Sequence, residues 1–261
     1  MTTLRERAPT VALIAAILVA WEAYVRLAGV APVVLPGPLR IGEALWTYRD
    51  DAVRHALPTL IETVLGFALA VVLAILAAAA MDRVPAARRA VEPILVASQT
   101  IPVVALAPLF LLWFGFGLAP KVLVVILVTF FPIVVALLDG FRSTSPEAED
   151  LLRSYGASEG QVFRKLRWPT ALPSFFTGLR ISVVYAVIGA VFGEYVGARE
   201  GLGIWMQLSQ NSFRTDLVFA AIVVTSALSL MLYALVGLAR RVTIPWAPGV
   251  RHEIDVEDRP F

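Results

Sequence analysis

Residues 63–81 read TVLGFALAVVLAILAAAAM, an apolar run without a single Asp, Glu, Lys or Arg. An α-helix needs about 20 such residues to cross the ~30 Å hydrocarbon core of a bilayer. Three further charge-free windows of comparable or greater length occupy residues 93–120, 122–138 and 217–239. These windows predict membrane-spanning helices, and they decide the fold class.

The overall composition supports the same fold class. Of the 261 residues, 59% are hydrophobic and 16% are charged, and the mean hydropathy is +0.78. Soluble domains contain about 45–50% apolar and about 25% charged residues, so the apolar surplus of this chain must face lipid. We therefore predict an all-α integral membrane protein.

Catalytic and metal-binding residue types are scarce. The sequence contains no cysteine, which excludes disulfides, thiolate metal sites and cysteine nucleophiles. His55 and His252 lie outside the apolar windows, so neither an intramembrane zinc site nor histidine-based catalysis is expected. Nothing indicates nucleic acid binding. The sequence therefore predicts a chain that is not an enzyme and binds no metal.

A fifth span is predicted at residues 171–196, where two charges interrupt the apolar sequence. Because a charge facing lipid is costly, Arg180 and Glu194 are expected to face protein or an interface. A stripe of small residues on the same helix predicts close packing against another helix of this chain or of a second subunit. The stripe consists of Gly189, Gly193 and Gly197.

The first span is predicted at residues 8–30. It contains Glu22 and Arg26, whose spacing and order favour an ion pair on one face of a helix. The alternative is a cleaved signal peptide with Arg5 and Arg7 as its basic region. If this segment is retained, the chain has about six transmembrane helices.

The distribution of Lys and Arg predicts the orientation. Most of these residues fall in segments that are cytoplasmic if the N-terminus is cytoplasmic, so the positive-inside rule places both termini inside. The domain prediction is one transmembrane domain at 1–246 and a polar cytoplasmic tail at 247–261. The longest cytoplasmic loop is then 142–170.

This loop is predicted to form two short helices. Ser145 is suited to cap the first helix, and Gly156 is suited to end it in the left-handed conformation. Ser158 and Gln161 have the spacing of a capping box for the second helix, which Pro169 is predicted to end. The loop also carries apolar side chains that favour a docking surface, although an amphipathic loop lying in the lipid headgroups is the alternative. These side chains are Leu151, Leu152, Tyr155, Val162, Phe163, Leu166 and Trp168.

The loop resembles the EAA signature of permease subunits of binding-protein-dependent ABC importers. In that family, Glu-Ala-Ala is followed by three residues, Gly, nine residues and Ile-x-Leu-Pro. Gly156, Leu166 and Pro169 fit this register, whereas residues 150–152 (DLL) replace Glu-Ala-Ala and Trp168 replaces Leu. Other segments resemble the nitrate, sulfonate and taurine branch of the family, namely 35–38 (LPGP), 101–108 (IPVVALAP), 113–117 (WFGFG), 171–173 (ALP) and 201–203 (GLG).

The resemblance implies a set of partners. A separate ATPase, which binds ATP and Mg²⁺, receives the two short helices of the loop in a surface groove, and an extracytoplasmic binding protein delivers the solute. Two permease subunits associate in the bacterial inner membrane, as a homodimer unless a sister permease exists. The chain itself has no Gly-x4-Gly-Lys-Ser/Thr motif, so we expect no ATP bound by that route. The residues implied in ATPase coupling are Asp150, Leu151, Leu152, Tyr155, Gly156, Phe163, Leu166 and Pro169.

Polar residues within or beside the spans are candidates for the translocation pathway. Gln99 and Thr100, followed by Pro102, predict a kinked pore-lining helix, and the alternative is that the two side chains only bond neighbouring helices. Glu194 is predicted to contact the solute or gate the outer mouth, or else to be solvated near a helix end. Asn211 is predicted to line the mouth.

Substrate and mechanism are predicted mainly from the resemblance. The runs 98–108 and 210–216 resemble permeases for thiamine-precursor pyrimidines, with riboflavin and with sulfonate, taurine or nitrate permeases as alternatives. An ion-coupled secondary transporter is less favoured, because Glu62, Asp139 and Glu194 are all predicted near helix ends and no repeat is evident. An intramembrane enzyme is disfavoured by the lack of a catalytic set within the spans.

Overall fold

The predicted all-α membrane architecture is confirmed. The computed structural model describes residues 2–98 and 100–246, and the predicted polar tail at 247–261 lies outside them. In chain order the helices are α1 (Thr2–Leu27), α2 (Pro38–Thr47), α3 (Arg49–Arg83), α4 (Pro85–Ser98), α5 (Val103–Phe114), α6 (Leu118–Arg142), α7 (Pro146–Ser154), α8 (Glu159–Val162), a π-helical turn (Phe163–Arg167), α9 (Trp168–Tyr195), α10 (Leu202–Asn211) and α11 (Thr215–Thr243).

Five helical segments in the described part of the chain are long and apolar enough to cross a membrane. They are Ala8–Leu27, Arg49–Arg83, Leu118–Arg142, Glu159–Tyr195 and Thr215–Thr243. The second begins well before the charge-free window that predicted it, with Asp50 and Asp51 in its first turn, where acidic groups stabilise the positive end of the helix dipole. Glu62 therefore lies well inside α3, and its predicted position near a helix end was wrong. The chain is a multi-pass membrane protein.

The third predicted span, at 93–120, is divided between α4 and α5. Pro102 is the N-cap of α5 and has an extended backbone, with φ −62° and ψ 116°. Proline has no N–H group, and it disfavours the helical conformation in the residue before it, here Ile101. The chain is consequently broken at this point, and the prediction of one kinked helix was wrong. Gln99, which was predicted to line that helix, lies outside the described residues.

Two compact units make up the chain, and α3, α6, α9 and α11 each contribute residues to both. Unit 1 consists of Met1–Gly66, Pro102–Val125 and Ala186–Ser229. Unit 2 consists of Phe67–Ile101, Ile126–Tyr185 and Leu230–Phe261.

Small residues let α6 and α9 pack closely in unit 2. A Cβ atom built on Gly140 would lie 2.8 Å from the Cα atom of Ala171, and one built on Gly178 would lie 2.5 Å from the Cβ atom of Ala136. Such close approach of two backbones is typical of helix packing in membranes. The buried core around this contact includes Ala74, Met81, Ile133, Leu137, Phe141, Phe175, Phe176 and Leu179.

Helix α8, the π-helical turn and α9 form one continuous helical segment, so the prediction that Pro169 ends the second loop helix was wrong. Pro169 is the second residue of α9, directly after the π-helical turn, in which the Trp168 N–H bonds the Phe163 carbonyl five residues back. A π turn widens the helix, which relieves the clash that a proline ring makes in a regular α-helix. The Thr170 hydroxyl also donates to the Leu166 carbonyl at 2.8 Å.

Glu22 joins α1 to α2 in unit 1. Its carboxylate accepts a hydrogen bond from Arg26 Nε at 2.6 Å, which confirms the predicted i,i+4 pair. The same carboxylate accepts from the backbone N–H of Leu39 at 3.1 Å, in the first turn of α2. A carboxylate in this position satisfies a helix N–H group that has no partner within the helix.

Candidate functional site

The loop predicted to couple to an ATPase contains two capped helices joined by a tight turn. We call α7, the turn and α8 (residues 146–162) the hairpin. Ser145 Oγ accepts from the Ala148 N–H at 3.3 Å and caps α7. Ser158 and Gln161 form the predicted capping box of α8, because Gln161 Oε1 accepts from the Ser158 N–H at 2.7 Å and Ser158 Oγ accepts from the Gln161 N–H at 3.4 Å.

Gly156 ends α7 as predicted. Its φ of +79° lies in the left-handed region, and its N–H donates to the Arg153 carbonyl at 2.9 Å. No heavy atom lies within 4 Å of a Cβ built on Gly156, so the glycine is required by backbone conformation and not by crowding. Both helix ends of the turn are thus held by local hydrogen bonds.

A buried ionic network fixes the hairpin to the end of α3 in unit 2. Arg167 donates from Nε to Glu149 Oε1 at 2.6 Å and from Nη2 to Glu149 Oε2 at 3.0 Å. Its Nη1 donates to Asp82 Oδ2 at 2.8 Å. Glu149 is buried, and the bidentate geometry fixes the orientation of both side chains. This network could not be predicted from the sequence, because its members lie far apart in the chain.

Arg153 forms a second, exposed set of ion pairs on the hairpin. Its guanidinium donates to Glu159 at 2.9 Å and reaches Asp150 at 3.3 Å and Glu149 at 3.4 Å. The pKa of Arg153 is raised above its ordinary value, mainly by the hydrogen bond to Glu159. This arginine therefore bridges the two helices of the hairpin on its solvent side.

The predicted coupling residues divide into exposed and partly buried groups. Tyr155 is 82% exposed and Leu151 is 57% exposed, although both are large and apolar. Phe163 is partly buried, and its ring centroid lies 5.4 Å from that of Phe141 and 6.3 Å from that of Trp168. Asp150 and Gly156 are also exposed, whereas the other partly buried members are Leu152, Leu166 and Pro169.

A second polar cluster surrounds Glu194 in unit 1. The carboxylate is fully buried, so the alternative that it is solvated near a helix end was wrong. Its Oε1 accepts from the Thr59 hydroxyl at 2.5 Å, and its Oε2 accepts from the Gly203 N–H at 2.6 Å. Thr59 Oγ1 in turn accepts from the Leu202 N–H at 2.9 Å. Backbone N–H groups at the N-terminus of α10 thus donate to a carboxylate of α9 and to a hydroxyl of α3.

A buried ion pair lies in the same unit. Lys121 Nζ donates to Glu62 Oε1 at 2.5 Å and connects the first turn of α6 to α3. A Cβ built on Gly193 would lie 3.0 Å from the Cα atom of Lys121, so this glycine of the predicted stripe packs within its own chain. The pair could not be predicted from the sequence, because no local pattern links residues 59 positions apart.

The remaining predicted pathway residues have ordinary surroundings. Thr100 is exposed, and its hydroxyl donates to the Ala97 carbonyl at 2.7 Å. Pro102 is exposed beside the start of α5, and Asn211 is exposed at the end of α10. Nothing in these contacts assigns the residues to a pathway, so their role stays a prediction.

Comparison with known proteins identifies the family. Residues 70–243 match the family described as binding-protein-dependent transport system inner membrane component. An amino acid ABC transporter of known structure shares the fold, with a TM-score of 0.64 at 14% sequence identity. That similarity covers 76% of this chain and 97% of the chain in the transporter.

Two relatives are similar over most of their length. The formylaminopyrimidine transport permease protein ThiX of Halalkalibacterium halodurans is 42% identical, covering 88% of this chain and 92% of the relative. The riboflavin transport system permease protein RibX of Chloroflexus aurantiacus is 38% identical, covering 88% of this chain and 87% of the relative. The chain therefore belongs to the family of inner membrane permease subunits of binding-protein-dependent ABC importers.

Proposed function

We propose that a separate cytoplasmic ATPase drives this permease by contacting the hairpin. In this proposal the ATPase binds ATP and Mg²⁺, an extracytoplasmic binding protein delivers the solute, and two copies of the chain form the membrane part. Both termini are cytoplasmic, with the divided segment α4–α5 making the sixth crossing beside the five long spans. Residues 1–246 form one permease domain, and residues 142–170 form its coupling loop.

The exposed apolar side chains of the hairpin carry this proposal. Tyr155 and Leu151 project from a loop whose helices are capped and whose position is fixed by the Arg167 network. Exposed large apolar groups on a rigid scaffold are typical of protein contact sites. The alternative of a loop in the headgroups fits less well, because such segments carry mainly Lys and Arg on their polar face, whereas the carboxylates of Asp150 and Glu159 lie beside Arg153 on this surface.

A formylaminopyrimidine is the proposed solute. The support is the 42% identity to ThiX over 88% of the chain. Riboflavin is the second candidate, because RibX is 38% identical over the same share of the chain. Reconstitution with the ATPase and the binding protein separates the two. We expect ATP-dependent uptake of a labelled formylaminopyrimidine, and uptake of riboflavin alone would contradict this assignment.

Tyr155→Arg tests the coupling surface. We expect at least a tenfold loss of ATPase captured by the affinity-tagged permease, because an arginine replaces the apolar anchor at the centre of the contact. Permease abundance in the membrane should be unchanged, because Tyr155 is exposed. The measurement is co-purification from detergent-solubilised membranes.

Phe213→Arg is the matched control. Phe213 is also an exposed aromatic residue, at 78%, but it lies in the turn between α10 and α11, which the proposed topology places outside. ATPase capture should remain at the level of the unchanged protein. Equal loss of capture in both variants, or in neither, would contradict the proposed role of the hairpin.

A further inference from the structure

Arg180 is a cationic side chain within the α9 span that has no acidic partner among the described residues. Its guanidinium carbon lies 5.2 Å from the centre of the Tyr233 ring on α11. Its Nε atom is buried and has no hydrogen-bond acceptor. All of these groups belong to unit 2.

Gly237 provides the space for this guanidinium. A Cβ built on Gly237 would lie 2.5 Å from Arg180 Nη2, so any side chain there would displace the arginine. The guanidinium therefore packs against Gly237 and the ring of Tyr233 on α11. The aromatic ring attracts the cation without occupying its N–H donors. The buried Nε cannot reach a solute, but the Nη groups make no hydrogen bond among the described residues and are free to donate to another acceptor.

The surface of α9 beside Arg180 is not covered by other described residues of the chain. Helix α9 belongs to the most buried of the five candidate spans. Four of its residues, spaced one to four positions apart, are nevertheless exposed on the side where Arg180 is also partly exposed. They are Thr177, Ile181, Val184 and Tyr185. Two of these four carry hydroxyl groups, and that of Thr177 donates to the Pro173 carbonyl at 3.0 Å. Cations within a span face a cavity or a partner because exposure to hydrocarbon is unfavourable. We call Thr177, Arg180, Ile181, Val184 and Tyr185 the α9 stripe.

We propose that the α9 stripe lines the water-filled translocation pathway and that Arg180, held by Tyr233 and Gly237, recognises a hydrogen-bond acceptor of the passing solute. This inference rests on the proposed import function and deepens it. The planar guanidinium suits a solute with a carbonyl, carboxylate or ring-nitrogen acceptor, and it repels cations. A formylaminopyrimidine has such acceptors in its formyl group and its ring.

Thiol labelling tests the location of the stripe. The chain contains no cysteine, so each introduced cysteine is the only one. In permease reconstituted with its ATPase and binding protein, Thr177→Cys and Tyr185→Cys should react with a charged, membrane-impermeant methanethiosulfonate at least tenfold faster than Leu76→Cys and Leu235→Cys. The two leucines are exposed apolar residues of α3 and α11 in the same unit.

Two outcomes would overturn the location. One is equal labelling rates in all four variants, which would place the stripe in lipid. The other is an unlabelled Tyr185→Cys that oxidises to a disulfide between two copies, which would make the stripe a subunit contact. Because these rates do not require a known solute, they remain informative if the formylaminopyrimidine assignment fails.

Arg180→Gln tests recognition. We expect uptake of the formylaminopyrimidine to fall at least tenfold, and Arg180→Lys, which keeps the charge, should retain part of it. The solute should slow labelling of Thr177→Cys when Arg180 is present and should not do so in the Arg180→Gln background. A merely structural role would lower the unfolding temperature and leave protection intact. Unchanged uptake, or equal protection in both backgrounds, would overturn the role of Arg180.

Discussion

Replacing Arg167 by methionine is expected to uncouple ATP hydrolysis from transport and to destabilise the permease by about 2–3 kcal/mol. The substitution leaves the carboxylates of Glu149 and Asp82, which are 9% and 10% exposed, without their shared cation. The hairpin then loses its bidentate bond to Arg167, and with it the link through Arg167 to Asp82 of α3. Solute uptake and ATP hydrolysis by the reconstituted importer, with thermal unfolding of the permease, are the measurements.

Arg153→Met is the matched control for this experiment. Arg153 also contacts Glu149, but its side chain is 40% exposed, and exposed ion pairs contribute little to stability. The unfolding temperature and the ratio of transported solute to hydrolysed ATP should remain near those of the unchanged protein. If both arginine variants behave alike, the buried network is not what holds the hairpin.

The second large effect is expected at the buried pair of unit 1. Lys121→Met should lower the unfolding free energy by about 3–5 kcal/mol, because Glu62 remains as an uncompensated buried carboxylate. The double variant with Glu62→Leu should recover most of the loss, since it removes the charge as well as its partner. Unfolding of the single and double variants in mixed micelles provides the double-mutant cycle.

Arg54→Met provides the comparison for Lys121→Met. Arg54 pairs with Glu200 in the same unit, but the two side chains are 66% and 44% exposed. Breaking this pair should cost at most about 1 kcal/mol. A loss for Lys121→Met no larger than that for Arg54→Met, or a double variant no more stable than Lys121→Met alone, would contradict the assignment.

The features that the sequence predicted correctly depend on neighbouring residues. The capping box of Ser158 and Gln161 and the left-handed Gly156 involve atoms within a few positions of one another, and the apolar windows are local by definition. Such signals determine the helices and the helical hairpin. They also allowed the family resemblance to be recognised, because the register from Gly156 to Pro169 is read directly along the chain.

The features that were not predicted depend on tertiary contacts, or on positions where the folded chain departs from a local sequence preference. Solvation of Glu194 was a reasonable alternative because the residue lies near the end of an apolar run, and its burial depends on contacts with α10 and α3. Pro169 looked like a helix terminator, but the π-helical turn before it accommodates the ring. Arg180 was noticed only as a charge to be shielded. Its partners on α11 cannot be derived from its own neighbourhood in the sequence.

The unbroken helical run that begins at Glu159 has a mechanical consequence. A flexible linker between the ATPase contact and the membrane would absorb part of any movement as bending. No such linker separates the hairpin from Arg180, because α8, the π-helical turn and α9 follow one another without interruption. A tilt or twist applied at the hairpin therefore reaches the residue proposed to hold the solute through one continuous helical segment.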